Sequence, residues 1–183
     1  MKYILRKYPQ FSACGLNCGL CPRYYTKGTS RCPGCAGEGF NETHCSCGIL
    51  SCCQRKAIEY CFLCDEFPCK KYNWGLVDSF ITHVNIFRDA EKAKQIGIED
   101  YISELNAKMD ILEILLDNYD DGRRKSFYCL TVNLLDLHDV NSVIDMVVEK
   151  VGPLATLKEK AITVVGLFQA LAVERGIELW LRK

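Results

Sequence analysis

Between Cys14 and Cys69 the chain has no valine, methionine or tryptophan. It offers only twelve large apolar or aromatic side chains there: Leu16, Leu20, Tyr24, Tyr25, Phe40, Ile49, Leu50, Ile58, Tyr60, Phe62, Leu63 and Phe67. A stretch so poor in apolar bulk cannot be held by hydrophobic collapse alone and needs staples. A surplus of charge is also missing, with 23 Lys and Arg against 23 Asp and Glu, which argues against strong attraction to nucleic acid or an anionic membrane. No apolar run reaches the roughly 18 residues of a membrane-spanning helix. Met1 to Ser12 (MKYILRKYPQFS) breaks up its few apolar residues with Arg6, Lys7, Pro9 and Gln10, so it shows neither the apolar stretch nor the cleavage site of a secretory signal. The expectation is a cytoplasmic protein with no membrane anchor.

Catalytic punctuation is thin as well. His44, His83 and His138 are scattered, with no His-Glu-x-x-His, no Walker glycine loop and no evident Ser-His-Asp order. His83 and His138 read as surface or core residues, and the sequence therefore leans away from an enzyme.

What fills the gap is cysteine. Twelve of the thirteen cysteines fall between Cys14 and Cys69, mostly as the pairs Cys18/Cys21, Cys32/Cys35, Cys47/Cys52 and Cys61/Cys64. Cytoplasmic thiols stay reduced, so the predicted staples are metal ions rather than disulfides. A Cys-x-x-Cys pair on a tight turn brings two sulfurs to one ion at about 2.3 Å, and two pairs close a tetrahedral zinc site. Cys18, Cys21, Cys32 and Cys35 have that form. Their central gap of ten residues is shorter than the usual spacing of about 15 to 20, so the loop must be tight, with Gly28 and Pro33-Gly34 to turn it. Cys47, Cys52, Cys61 and Cys64 can close a second site, with Cys69 as substitute or additional ligand. Cys14, Cys45 and Cys53 remain over, as does His44, which stands between loop residue and ligand. A third ion, or pairs that interleave around shared ions, stays open. Zinc binding in small fingers contributes roughly 10 to 16 kcal/mol at neutral pH, against about 3 to 5 kcal/mol from a small apolar core. Metal would thus decide whether this part folds. Residues 14–72 carry seven Lys and Arg against five Asp and Glu, and a zinc held by four thiolates brings excess negative charge. Arg23, Arg31, Arg55, Lys56, Lys70 and Lys71 are accordingly read as offsetting thiolates rather than gripping phosphates.

Other cysteine chemistry competes. Cys14-x3-Cys18-x2-Cys21 matches the cluster-binding spacing of radical S-adenosylmethionine enzymes, but that chemistry usually needs a large βα barrel, and the helical pattern that follows provides none. An ordinary iron-sulfur cluster is the alternative to zinc, because thiolate-only ligation suits iron equally. Cys18-Gly19-Leu20-Cys21-Pro22 has the form of a thioredoxin-type redox pair, which requires βαβ surroundings and few neighbouring thiols; neither is present. The basic runs Arg123-Arg124-Lys125 and Arg182-Lys183, even with Tyr24 and Tyr25 as stacking surfaces, read as a solvated loop and tail, so nucleic acid is disfavoured as a partner.

Past Lys71 the apolar residues recur at helical spacing. Leu76, Phe80, Val84 and Phe87 predict a first helix ending at Gly97. Ile102, Leu105, Met109, Leu112, Leu116 and Tyr119 form the clearest stripe, closed by Asp120-Asp121-Gly122. A third helix is predicted over Lys125 to His138, with Cys129 as a small buried residue, and a fourth from Val140 to Val151, broken by Gly152-Pro153. The last runs from about Leu154 to Arg175 with Gly176 as its cap. The boundary between the two characters falls near Tyr72 to Trp74, and the second part is expected to fold around its own core.

The cysteine-rich residues also carry a family likeness. Ala13-Cys14-Gly15-Leu16-Asn17-Cys18-Gly19-Leu20-Cys21-Pro22, Cys32-Pro33-Gly34-Cys35, Cys47 to Cys52, and Glu59-Tyr60-Cys61-Phe62-Leu63-Cys64-Asp65-Glu66-Phe67-Pro68-Cys69 resemble the uncharacterised cysteine-rich prokaryotic family called domain of unknown function 3795. The likeness covers about residues 13–72, and Gln95-Ile96-Gly97-Ile98-Glu99 and Gly176-Ile177-Glu178-Leu179 are also similar. It implies a metal-binding cysteine region with no established reaction. Ten positions carry over as ligands or their neighbours: Cys14, Cys18, Cys21, Cys32, Cys35, Cys47, Cys52, Cys61, Cys64 and Cys69. Cys45, Cys53 and Cys129 are additional here. Ten thiols do not divide into four-ligand sites, so the number of ions stays open.

The sequence thus predicts a mainly α protein, with an irregular, cysteine-rich, zinc-stapled module over residues 1–72 and an α-helical domain over residues 73–183. Its expected role is a binding or scaffolding module with a protein partner. The alternative is an iron-sulfur or thiol redox protein.

Overall fold

In the computed structural model the described residues are 5–73, 77–152 and 154–183. The expectations placed on Met1 to Ile4, Trp74, Leu76 and Pro153 lie outside them. Among the described residues there is no strand, and the mainly α class is as the sequence predicts. The cysteine-rich part is loop, tight 3-10 turns and two short helices, α1 (Phe40–Thr43) and α2 (Gly48–Arg55). Five longer helices follow: α3 (Ile86–Ile96), α4 (Ile98–Tyr119), α5 (Lys125–Leu134), α6 (Leu137–Lys150) and α7 (Leu157–Arg175). No helix among the described residues is long and apolar enough to cross a membrane.

The axis of the fold is α4. It buries Tyr101, Ile102, Leu105, Ile111, Leu112 and Leu115, and it touches α3, α5, α6, α7 and the turn Cys18–Leu20. Gly97, at φ 90°, divides α3 from α4 in a conformation that side chains rarely adopt. A capping box opens α7, where the Thr156 hydroxyl accepts from the Glu159 N–H and the Glu159 carboxylate accepts from the Thr156 N–H. Gly176 closes it in the left-handed region, as the sequence predicts.

Three predicted helices differ in extent, and the last begins at Leu157 rather than about Leu154. The third predicted helix ends at Leu134 rather than His138, and Leu137 and His138 begin α6. Carbonyls freed at that break find donors elsewhere: the Asn85 amide donates to the Asn133 and Leu134 carbonyls at 3.1 and 3.4 Å, and the Lys108 ammonium donates to the Leu135 carbonyl at 2.6 Å. Satisfying orphaned carbonyls is what makes a buried helix end tolerable. The first predicted helix is shorter still, since Phe80 and Val84 precede α3 and are exposed. There, side chains compete with the helical ladder. The His83 N–H donates to Asp78 Oδ1 and the Val84 N–H to Thr82 Oγ1.

Asp78 also holds the C-terminal tail. Its N–H donates to the Arg182 carbonyl at 2.9 Å, the Arg182 N–H donates to Asp78 Oδ2 at 2.8 Å, and the guanidinium pairs with the same carboxylate at 2.8 Å. Burial pushes this carboxyl up, but Arg182 and the backbone N–H groups of His83 and Arg182 reverse that and leave it below its ordinary value.

The apolar core is not confined to the helices. Phe11, Leu20, Tyr60 and Phe62 of the cysteine-rich part belong to the same buried cluster as Leu105, Leu112, Tyr128, Val140 and Phe168, with Phe11 ring to ring with Tyr101 at 4.6 Å. The expected self-contained helical core is therefore a common one, because α4 and α5 have apolar surface facing the Cys18–Leu20 turn. A second buried cluster, built on Ile49, Leu50, Phe40 and Tyr72, lies among the sulfurs. We predict that Phe11→Ala lowers stability by about 3 to 5 kcal/mol and brings forward the loss of helical circular dichroism in a urea titration. An unchanged helical transition would speak against a shared core.

Candidate metal centre

Two pairs of cysteines stand on similar 3-10 turns, and a third on a different one. In Cys18–Leu20 and Cys61–Leu63 the chain closes a 3-10 turn, and the N–H of the next cysteine donates back to the first cysteine's carbonyl: Cys21 to Cys18 at 3.1 Å, and Cys64 to Cys61 at 3.0 Å. Cys32 and Cys35 are set by Pro33-Gly34, where Gly34 has φ +85° and a side chain would overlap the Pro9 carbonyl oxygen. The Cys35 N–H donates to that same carbonyl at 2.7 Å, so this knuckle is pressed against the N-terminal segment. Cys47 caps α2, its sulfur accepting from the Leu50 N–H at 3.5 Å.

The sulfurs pack in one buried cluster and fall into two overlapping sets of neighbours. Burial pushes the Cys18 thiol well up, and Cys35, Cys14, Cys21 and Cys32 lie close enough to push it further. Cys14 is pushed up to about 12 by burial, with Cys35 and Cys47 adding to it and the Ser12 hydroxyl at 3.0 Å opposing it. Cys21 and Cys35 are also raised, first by burial and then by Cys32 and Cys47 respectively. One group thus holds Cys14, Cys18, Cys21, Cys32, Cys35 and Cys47. In the other, Cys53 is pushed up to about 12 by burial and by Cys61 and Cys52, and Cys61 is raised by burial and by Cys69 and Cys64. Cys47, which spacing groups with Cys52, lies near Cys14 and Cys35 because α2 starts immediately after it.

All thirteen cysteines are free thiols. Among the described residues no three His, Cys, Asp or Glu side chains stand gathered as a finished metal site. The thiols are neighbours, and closing a coordination sphere requires them to swing onto a common point. Two features fit such a closure. The donor set is thiol-only, and the Arg6 guanidinium is buried between the two groups. Its Nε, Nη1 and Nη2 are all covered and join no ion pair among the described residues; it sits over the Tyr60 ring at 4.5 Å and against Cys35, with Cys53 near, and draws both thiols down against the effect of burial. A buried cation whose neighbours are neutral thiols and a ring calls for negative charge beside it, which metal-bound thiolates would supply.

Of the cations expected to offset thiolate, Lys56 donates to Cys64 Sγ at 3.1 Å and pairs with Glu66 at 3.1 Å, and Arg23 lies near enough to Cys21 to draw its thiol down. Arg31 donates to the Tyr24 carbonyl. His44 is exposed and stacks on Phe40 at 4.6 Å, beside exposed Cys45. Cys129 is buried in the helical core, its thiol pushed up to about 12 by burial. Sequence reasoning missed Arg6, which lies outside the cysteine spacing, and Tyr72, whose hydroxyl donates to the Cys14 carbonyl at 3.0 Å.

Residues 10–74 match the family model described as Protein of unknown function (DUF3795). The match spans all ten cysteines on which the likeness rests and ends at the boundary read from composition. No curated protein and no solved structure matches the chain.

At pH 8, Cys14, Cys53 and Cys129, each pushed up to about 12, carry on the order of a thousandth of the thiolate of an ordinary cysteine. In reduced protein as purified, iodoacetamide is expected to modify exposed Cys45 first and Cys129, buried in the helical core, last, as read by peptide mass mapping. Uniform rates across the thirteen would contradict the burial described here.

Proposed function

We propose that residues 10–72 form a zinc-thiolate module, and that the metal fixes this part of the chain against the helices. The protein then acts as a binding or scaffolding module in a reducing compartment. The observation that carries the reading is the buried Arg6 guanidinium, which lies against thiols of both sets and joins no ion pair among the described residues. Cys14, Cys18, Cys21, Cys32, Cys35 and Cys47 supply more than enough sulfur for one four-ligand ion, and Cys52, Cys53, Cys61, Cys64 and Cys69 for another. When bound, zinc contributes charge compensation and cross-linking. The residues around it do the rest: Gly34 lets Cys35 approach Pro9, Lys56 and Arg6 balance thiolate charge, and Tyr72 ties Cys14 to the end of the module.

A protein partner suits the surface better than nucleic acid. Arg182 of the basic tail is engaged by Asp78, and Arg124 lies 3.5 Å from Asp121, whereas Leu63, Val77, Phe80, Val84 and Phe87 expose about half or more of their surface.

Anaerobic purification under reducing conditions, followed by metal analysis and a visible spectrum, tests the metal. A colourless protein with stoichiometric zinc is expected, and Arg6→Met should weaken zinc binding by about tenfold or more, as loss of a ligand's supporting neighbour does. A brown protein containing iron and sulfide would transfer the site to a cluster. A metal-free protein whose residues 10–72 resist protease as well as the purified form would end the proposal.

A further inference from the structure

Beside the cysteine loop, α3, α4 and the α5–α6 break line an open cavity of about 250 Å³. Its floor is buried and hydrogen-bonded: the Asn17 amide donates to Asp89 Oδ2 at 2.8 Å and to Asn133 Oδ1 at 3.2 Å, and the Tyr101 hydroxyl donates to Asn17 Oδ1 at 2.9 Å. Its rim is exposed and paired. Lys92 and Glu104 form an ion pair, and Arg88 reaches Asp89 and Asp136 at 3.5 Å each. Between floor and rim stands Lys108. Among the described residues Lys108 joins no ion pair, and its ammonium donates to the Leu135 carbonyl alone.

This lysine is unlike its neighbours. Arg88 is not a nucleophile, and the Lys92 amine is occupied by Glu104. Lys108 faces a polar cavity large enough for a molecule of several heavy atoms, with a buried carboxyl, Asp89, lining the same space. Burial pushes Lys108 down to about 8; Arg88 and Lys92 push the same way, and Asp89 and Asp136 oppose them. Burial pushes Asp89 up, against Arg88, Lys108 and Asn17. An amine and a carboxyl lining one cavity are the pairing that carbonyl addition requires. Capping the α5–α6 break accounts for one N–H of Lys108, but not for the cavity in front of it.

We propose that this cavity is a second site, in which the Lys108 amine takes a small carbonyl compound, an aldehyde or 2-oxo acid, as a reversible imine. The Nζ lone pair forms a bond to the carbonyl carbon, and the C=O π pair moves to oxygen, which takes up the proton lost by nitrogen. The resulting hydroxyl then leaves as water with a proton from Asp89, while nitrogen loses its remaining proton to the Asp89 carboxylate. Amine and carbonyl become imine and water, with no change of oxidation state. The rim charges select the ligand: Arg88 and Lys92 are placed to exchange their partners for a carboxylate on the incoming molecule.

The test uses the full chain with glyoxylate as probe and cyanoborohydride to trap any imine, at pH 6 to 9, with adducts located by peptide mass mapping. Lys108 is expected to be labelled about tenfold or more faster than the typical surface lysine, with a rise centred near pH 8 rather than above 10. Asp89→Asn should slow labelling at Lys108 and leave surface lysines unchanged. Because that variant removes a buried hydrogen-bond partner, the decisive reading is the wild-type competition among lysines. Labelling spread over surface lysines with Lys108 no faster than the rest, or Lys108 left unmodified, would overturn the proposal.

Discussion

One buried side-chain amide holds the two halves of this protein in register. Asn17 sits between Cys14 and Cys18 in sequence and at the meeting of three helices in space, with its donors on Asp89 of α3 and Asn133 of α5 and its oxygen taken by Tyr101 of α4. A buried amide that loses a partner costs about 1 to 3 kcal/mol, so this arrangement tolerates little sliding of the cysteine loop over the bundle. The Phe11 and Leu20 side chains on either side supply the apolar half of the same joint. Because Asn17 is flanked by thiols and also floors the Lys108 cavity, whatever fixes Cys14 and Cys18 fixes the cavity as well.

The charge pattern around the sulfurs has one logic. Thiols that burial holds protonated are poor nucleophiles and poor ligands until a cation lowers their affinity for the proton. A divalent ion would do this for several at once, and the neighbouring Arg6 and Lys56 are placed to temper the negative charge it would leave. The same burial that makes the isolated thiols inert makes them suited to an ion that brings its own charge.

Much of the helical part was legible because it follows local rules. The stripe from Ile102 to Tyr119, the valines of α6 and Gly176 after α7 all stand where periodicity and capping place them. The failures were tertiary. Nothing in residues 125 to 138 announces a break at Leu135, because the break is stabilised by Asn85 and Lys108, which lie far away in sequence. Phe80 and Val84 have helical spacing, yet the carboxylate of Asp78 and the hydroxyl of Thr82 capture the backbone first. The cysteines announced their chemistry by type and spacing, whereas their grouping depends on where α2 begins and on how Gly34 meets Pro9. Arg6 carried no signal at all, since its meaning comes from burial.

The clasp between Asp78 and Arg182 gives the end of the chain an importance out of proportion to its length. Backbone and side chain of one residue near the C-terminus are matched to backbone and side chain of another more than a hundred positions earlier. The tail is in effect a latch on the span that leads into α3. Loss of Arg182 alone would therefore loosen a stretch far from it in sequence, and exposed Phe80 beside Asp78 would be the first surface to change shape.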